Sequence, residues 1–193
     1  MLAEKGMVFE VRTILRCLSE IAFNVMAIAK NEDFIEQLIS QDYFHRRSAL
    51  KAVLYNHNRG VKIEGKTVDE LEKDIDEISG QIKELKIKKL LIKDKAEAAG
   101  MLYYYDSQYV LLSDTIHSNT RDLEHYFKID DDNLIEEILW GPETKEVDLL
   151  LFSAADLMII ILNAIHSIFD LELNKEWHQL VDQFNKMADE IEK

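Results

Sequence analysis

Two sets of polar side chains stand at helical spacing on two predicted helices that are otherwise largely apolar. The first is Arg12, Arg16 and Glu20, four residues apart; on a 3.6-residue helix that spacing stacks them along one face. The second, at the same spacing, is Tyr105, Tyr109, Ser113 and His117. On a solvated face the first set is an ion-pair ladder that contributes about a few tenths of a kcal/mol. Inside a bundle the second set is a network that fixes helix register, because an unpartnered buried polar group costs free energy. The sharper reading joins the stripes in one cleft. Arg12 or Arg16 then holds an anion, with Glu20 as the partner a half-buried arginine requires. The His117 imidazole exchanges a proton near neutral pH, and Ser113 or Tyr109 positions a substrate oxygen or a water.

A metal reading draws on Asp42-x2-His45 and Asp114-x2-His117, since di-iron bundles use two such carboxylate–imidazole pairs plus two further glutamates. Glu20 offers one extra ligand and no second is evident. Among 37 acidic residues such pairs arise by chance, so no metal and no cofactor are expected. Phosphate-binding glycine loops, nucleophile elbows, zinc-protease signatures and paired cysteines are absent from the sequence. The single cysteine, Cys17, falls in an apolar helical stretch and reads as core. His166, on an apolar helix beside Asn163, reads as a buried, hydrogen-bonded histidine.

The elements that must position these groups are helices. Apolar residues from Val11 to Met26 keep the i, i+3, i+4 rhythm and predict a helix over 7–30. A second helix is predicted over 34–55 after the break at Asn31 to Asp33, and residues 56–66 form the clearest loop. Thr67 and Glu70 spell a capping box. Leu71, Ile75, Ile78, Ile82 and Leu85 then form a heptad seam, which Lys89 interrupts and Ile92 resumes. That pattern predicts one long helix over 67–98, acting as a hairpin or dimer arm. A tyrosine-rich helix over 101–117 follows, then short helices at 121–127 and 133–140, a stop at Gly141-Pro142, a long apolar helix over 143–169, and an amphipathic helix over 175–191. No segment shows the alternation of a convincing strand.

The expected architecture is therefore all-α: a single helical-bundle domain over 1–193 with 67–98 as a projecting arm. One proline and six glycines in 193 residues leave little room for long loops. The apolar run Leu149 to Phe169 contains Asp156, Asn163 and His166 and lacks flanking cationic residues. It reads as the central buried helix of the bundle, with no membrane role. The absence of paired cysteines and of an opening signal segment points to the cytoplasm. A net charge of −14 disfavours non-specific nucleic-acid binding. Residues 41–95 nevertheless carry 13 basic against 10 acidic groups. Their bland role is a solvated face, and their sharper one an RNA- or nucleotide-facing surface, or one that guides an acidic protein partner.

The segment Gly6 to Glu20, reading G-x5-R-x3-R-x3-E, together with Y-x3-S-x3-H-S over Tyr109 to Ser118, resembles an all-α bacterial family catalogued only as a domain of unknown function. Relatives of that kind carry a further helix before the glycine, so the resemblance implies a version lacking that element. More distantly the arrangement is similar to the HEPN superfamily, which includes toxin and phage-defence ribonucleases. That likeness implies a dimeric helical bundle in which an arginine holds phosphate and a histidine moves a proton without metal. Here His117 has no arginine at the upstream distance of that motif, and three residues separate Arg121 from His125. Arg12 or Arg16 would have to serve instead, which proximity in the fold permits. The competing expectation is a non-catalytic helical module with a structural polar core, dimerising through 67–98 or binding a protein partner.

Overall fold

The computed structural model describes residues 7–62, 65–116, 127–130, 134–138, 147–172 and 174–191. The architecture is all-α with one small sheet. Its elements are α1 (Val8–Lys30), α2 (Phe34–Asn58), α3 (Val68–Glu84), α4 (Ile92–Ala98), α5 (Leu102–Tyr104), a π-helical turn (Tyr105–Tyr109), α6 (Val110–Ile116), β1 (Phe127–Ile129), β2 (Ile135–Ile138), α7 (Val147–Ile168) and α8 (Lys175–Ile191). The chain divides into two compact units, one of residues 1–30 with 95–193 and the other of residues 31–94.

In the first unit α1 packs against α7 and α6. The buried stripe of α1 runs through Leu15, Ser19, Ala22, Phe23 and Ala27. Three of these five are small, which lets neighbouring backbones approach closely. The Ser19 hydroxyl is satisfied within its own helix by donating to the Leu15 carbonyl at 3.0 Å. Facing positions on α7 are Leu150, Leu157, Ile161 and Ala164, at spacings of seven, four and three. The sequence reads this helix as the central buried helix of the bundle. Instead it buries that one stripe and leaves Leu149 61% and Met158 46% exposed. By length and composition α7 could cross a membrane, a test that core helices of soluble proteins also pass.

The second unit is a hairpin in which α3 lies on α2. The heptad residues Leu71, Ile75, Ile78 and Ile82 are buried in it. Thr67 and Glu70 form the expected capping box: the Thr67 hydroxyl accepts from the Glu70 amide, and the Glu70 carboxylate accepts from the Thr67 amide at 2.8 Å. That bond holds the Glu70 carboxyl below its ordinary range. The single helix over 67–98 is not formed. Helix α3 ends at Glu84, and α4 begins only at Ile92. Leu85, predicted to extend the seam, is 59% exposed. What stabilises the break is Gln41 of α2, a buried amide that donates to the Lys88 carbonyl (3.0 Å) and accepts from the Leu90 amide (2.9 Å). It satisfies backbone groups that a continuous helix would otherwise have paired. Asp94 then accepts from the Leu91 amide at 2.7 Å and opens α4.

Residues 127–138 also depart from expectation. Instead of a helix over 133–140, β1 and β2 pair antiparallel, with Phe127 opposite Ile138, Lys128 opposite Glu137 and Ile129 opposite Ile135. A bulge interrupts the register between Lys128 and Ile129. The I-E-E-I sequence fits a helix by spacing. Here, however, Asp130 reverses the chain by accepting from the Leu134 amide at 2.8 Å, and Lys128 pairs with Glu136 at 2.9 Å. Gly141 and Pro142 lie outside the described residues, as does most of the helix expected over 121–127.

Helix ends share one device. At the C-termini of α3 and α4 the chain closes with paired i→i−5 and i→i−3 bonds: Ile87 to Ile82 with Lys86 to Lys83, and Met101 to Ala96 with Gly100 to Glu97. Each closure needs one residue in the left-handed region. Gly100 fills it at φ 67°, and Lys86 fills the equivalent position at φ 52°. A side chain there costs about 1–2 kcal/mol, less the chain entropy that glycine loses on folding. Lys86→Gly is therefore expected to raise stability by about 0.5–1 kcal/mol. Gly100→Ala should lower it by about 1 kcal/mol, with the overlying Lys30 ammonium free to swing away. Urea denaturation midpoints of the two variants should move in opposite directions.

Candidate functional site

The two stripes meet. Arg16 on α1 donates from Nε to the Ser113 hydroxyl at 3.1 Å and from Nη2 to the Tyr109 hydroxyl at 2.8 Å. Tyr109 in turn donates to Glu20 Oε1 at 2.8 Å, and the same carboxylate oxygen lies 3.2 Å from Arg16 Nη1. Arg16, Tyr109 and Glu20, from segments about ninety residues apart in sequence, thus close a ring of polar contacts that Ser113 joins through Arg16. The guanidinium carbon also lies 5.1 Å from the centroid of the Tyr109 ring, a cation–π geometry. Tyr109 is nearly enclosed, at 5% exposure, whereas the Arg16 and Glu20 side chains keep 25% and 29% of their surface open.

The local backbone explains how one short helix serves two neighbours. Over Tyr105–Tyr109 the chain takes a π-helical turn, with the Val110 amide bonded to the Tyr105 carbonyl five residues back. Such turns add a residue to the repeat and re-aim the side chains on either side. Before it, Tyr104 donates to Asp156 of α7 at 2.7 Å. After it, Tyr109 and Ser113 reach α1. Tyr105 does not join the polar ring. Its own ring stacks on Tyr109 at 5.5 Å and 17°, while Phe23 meets Tyr109 edge-on at 5.9 Å.

Burial, and then the hydrogen bond to Glu20, push the Tyr109 hydroxyl above the ordinary tyrosine range, against the opposing effects of Ser113 and then Arg16. Tyr104 is pushed up further, by burial first and then by Asp156. Both phenols are therefore donors at neutral pH. What the ring can do chemically follows from Arg16: a half-open cation, pinned on three of its nitrogens, with N–H groups left over for an anion.

Among the predicted site residues, Arg16, Glu20, Tyr109 and Ser113 are thus in direct contact. Arg12 lies half-buried one turn before Arg16 on α1. His117 lies outside the described residues, as do Arg121, His125 and the Asp114 side chain. Two expectations are overturned. Cys17 is exposed, because it sits on the outer face of α1 with Ile14 and Ile21, opposite the Leu15–Ser19–Ala22 stripe. His166 Nδ1 is buried and has no hydrogen-bond partner among the described residues; its ring stacks instead on Trp177 at 6.1 Å. Sequence reasoning also missed the Tyr104–Asp156 bond and the Trp177 indole donating to Asn163 at 3.0 Å. A signal existed for both, since Asp156 and Asn163 are polar interruptions of an apolar helix. Among the described residues no group of three His, Cys, Asp or Glu side chains is placed to share a metal ion.

The raised tyrosines fix the sign of an alkaline effect. The folded chain holds these protons to higher pH than the unfolded chain, so their stabilisation is complete below the ordinary tyrosine pKa of about 10 and is lost as pH rises beyond it. Unfolding free energy should fall above about pH 10 in the native protein and fall less steeply in a Tyr104→Phe, Tyr109→Phe double variant. Tyr109→Phe alone should cost about 1–2 kcal/mol at pH 7, because Arg16 and Glu20 both lose a partner. Chemical denaturation across a pH series measures both effects.

A family model, described as a family of unknown function (DUF5677), matches residues 1–134. No curated protein and no solved structure matches the chain.

Proposed function

This chain belongs to that family of unknown function, and we propose that its Arg16 cluster engages the phosphate of an RNA or nucleotide in a HEPN-like, metal-independent reaction. The observation that carries this reading is the convergence of Arg16, Glu20, Tyr109 and Ser113, from two distant helices, on one half-open guanidinium. In this scheme Ser113 and Glu20 aim the cation and Arg16 binds a phosphate oxygen. Tyr109 supplies a neutral donor to the oxygen that gains charge. Proton transfer falls to His117, the next residue in the Tyr105–Tyr109–Ser113 series. Arg12, one turn away from Arg16, adds positive potential to the approach. The setting would be a bacterial cytoplasm, and the role that of a toxin or phage-defence effector.

The second reading is a non-catalytic helical module, binding a protein partner or a second copy, in which the same ring is a lock. It is supported by the completeness of the network: Arg16, Glu20, Tyr109 and Ser113 each have a partner inside the chain. A homodimer through 67–98 would have to use a surface other than Leu71, Ile75, Ile78 and Ile82 of the heptad seam, because the α2–α3 hairpin buries them.

Incubation of the purified protein with single-stranded RNA in excess chelator separates the two readings. The effector reading expects cleavage that persists in chelator, falls by about 10²-fold or more in Arg16→Gln, and falls by about 10²–10⁴-fold in His117→Ala. Both variants should keep native circular dichroism. RNA left intact by the native protein, or cleaved equally by Arg16→Gln, would sink the effector reading.

A further inference from the structure

The α2–α3 hairpin bears a half-open cleft of about 450 Å³, within the roughly 300–1,000 Å³ usual for small-molecule sites. Its lining is apolar at Leu50 and Ile78 and aromatic at Tyr43, with four charged groups, Arg46, Lys66, Asp74 and Glu77. Two of the four satisfy each other, since Lys66 is ion-paired with Asp74. The other two do not. Arg46 on α2 and Glu77 on α3 line the same concavity, yet neither makes an ion pair or hydrogen bond with any described residue. Opposite charges that share a cleft without closing on each other leave a gap with a cation on one side and an anion on the other.

We propose that this cleft binds a free α-amino acid with an apolar or aromatic side chain, its carboxylate on Arg46, its ammonium on Glu77, and its side chain against Leu50, Ile78 and Tyr43. The guanidinium offers a carboxylate two parallel N–H donors, and Glu77 accepts from the ammonium. The charge balance selects this class over a phosphate ester. With Lys66 and Asp74 paired, the described lining leaves one cation, Arg46, and one anion, Glu77, without an ion pair. A dianion would meet the Glu77 carboxylate, whereas a zwitterion meets complementary charge at both ends. The apolar lining disfavours a small polar amino acid, which would leave Leu50 and Ile78 without a partner. Because the site lies wholly within residues 31–94, the proposal stands independently of the Arg16 cluster.

Calorimetric titration of the full chain with L-phenylalanine and L-leucine tests this, with N-acetyl-L-phenylalanine and phenethylamine as probes that each lack one charge. The expected result is saturable binding of both amino acids, weakened about tenfold or more by either Arg46→Gln or Glu77→Gln. The two truncated probes should bind the native chain correspondingly less well. N-acetyl-L-phenylalanine, having no ammonium, should bind Glu77→Gln at least as well as the native chain. Arg46 and Glu77 are exposed, so both variants should fold, which circular dichroism verifies. Absence of binding up to about 10 mM, or amino-acid binding that both substitutions leave unchanged, would overturn the assignment.

Discussion

A guanidinium that leaves water needs a counter-charge and acceptors for several of its N–H groups, or its desolvation is uncompensated. Arg16 meets that demand with side chains from two helices. Glu20, one turn along α1, supplies the charge, and Tyr109 and Ser113 supply oxygen acceptors from the far side. The consequence is positional. A shift of α6 by one residue along α1 would break both long-range bonds together, so the polar ring fixes a register that the apolar contact alone leaves loose. Much else in this unit serves that register. The π-helical turn sends Tyr104 to α7 and Tyr109 to α1, and α1 itself packs on both α6 and α7.

Spacing made the polar ring readable before any coordinates. Residues four apart lie on one helical face whatever the surrounding fold, so Arg16 with Glu20 and Tyr109 with Ser113 are local facts. That the two pairs face each other is not local; it follows from there being few interior places for polar stripes in an apolar bundle. The same reasoning misplaced the 67–98 helix, because nothing within that segment forbids continuity. The interruption is held by Gln41, whose amide replaces the missing helical partners of residues 88–90. The Ile135–Ile138 strand failed for a similar reason. Its alternatives differ by a turn at Asp130 and a cross-strand charge pair, both set by residues several positions away. Cys17 shows a third limit: an amphipathic helix with apolar residues on both sides of its core stripe does not announce which side is covered.

The left-handed closures at Lys86 and Gly100 show how one backbone requirement can be met by different residues. Glycine at 100 is a visible signal, and lysine at 86 is none, though the bonds formed are the same pair. The strain at Lys86 is tolerated because the next residues are already committed. Ile87 bonds back to Ile82, and the chain then enters the grip of Gln41. Local propensity is overridden there by a tertiary hydrogen bond from the neighbouring helix of the same unit.

The two functional readings of the Arg16 ring differ in what must happen to Glu20. A structural lock needs nothing further, since carboxylate, phenol and guanidinium are mutually satisfied. A phosphate site needs the anion either to use the outer N–H groups of Arg16 beside Glu20 or to displace the carboxylate from Nη1. Two anions on one guanidinium repel each other in a half-closed site, so the first route favours a singly charged phosphodiester over a doubly charged terminal phosphate. The second route frees Glu20 while Tyr109 still donates to it, so the carboxylate stays close enough to return when product leaves. On the first route the proposed ligand is therefore an internal phosphodiester, which an RNA backbone presents and a mononucleotide with a terminal phosphate does not. The second route sets no such preference, because the displaced carboxylate leaves no second anion on the guanidinium.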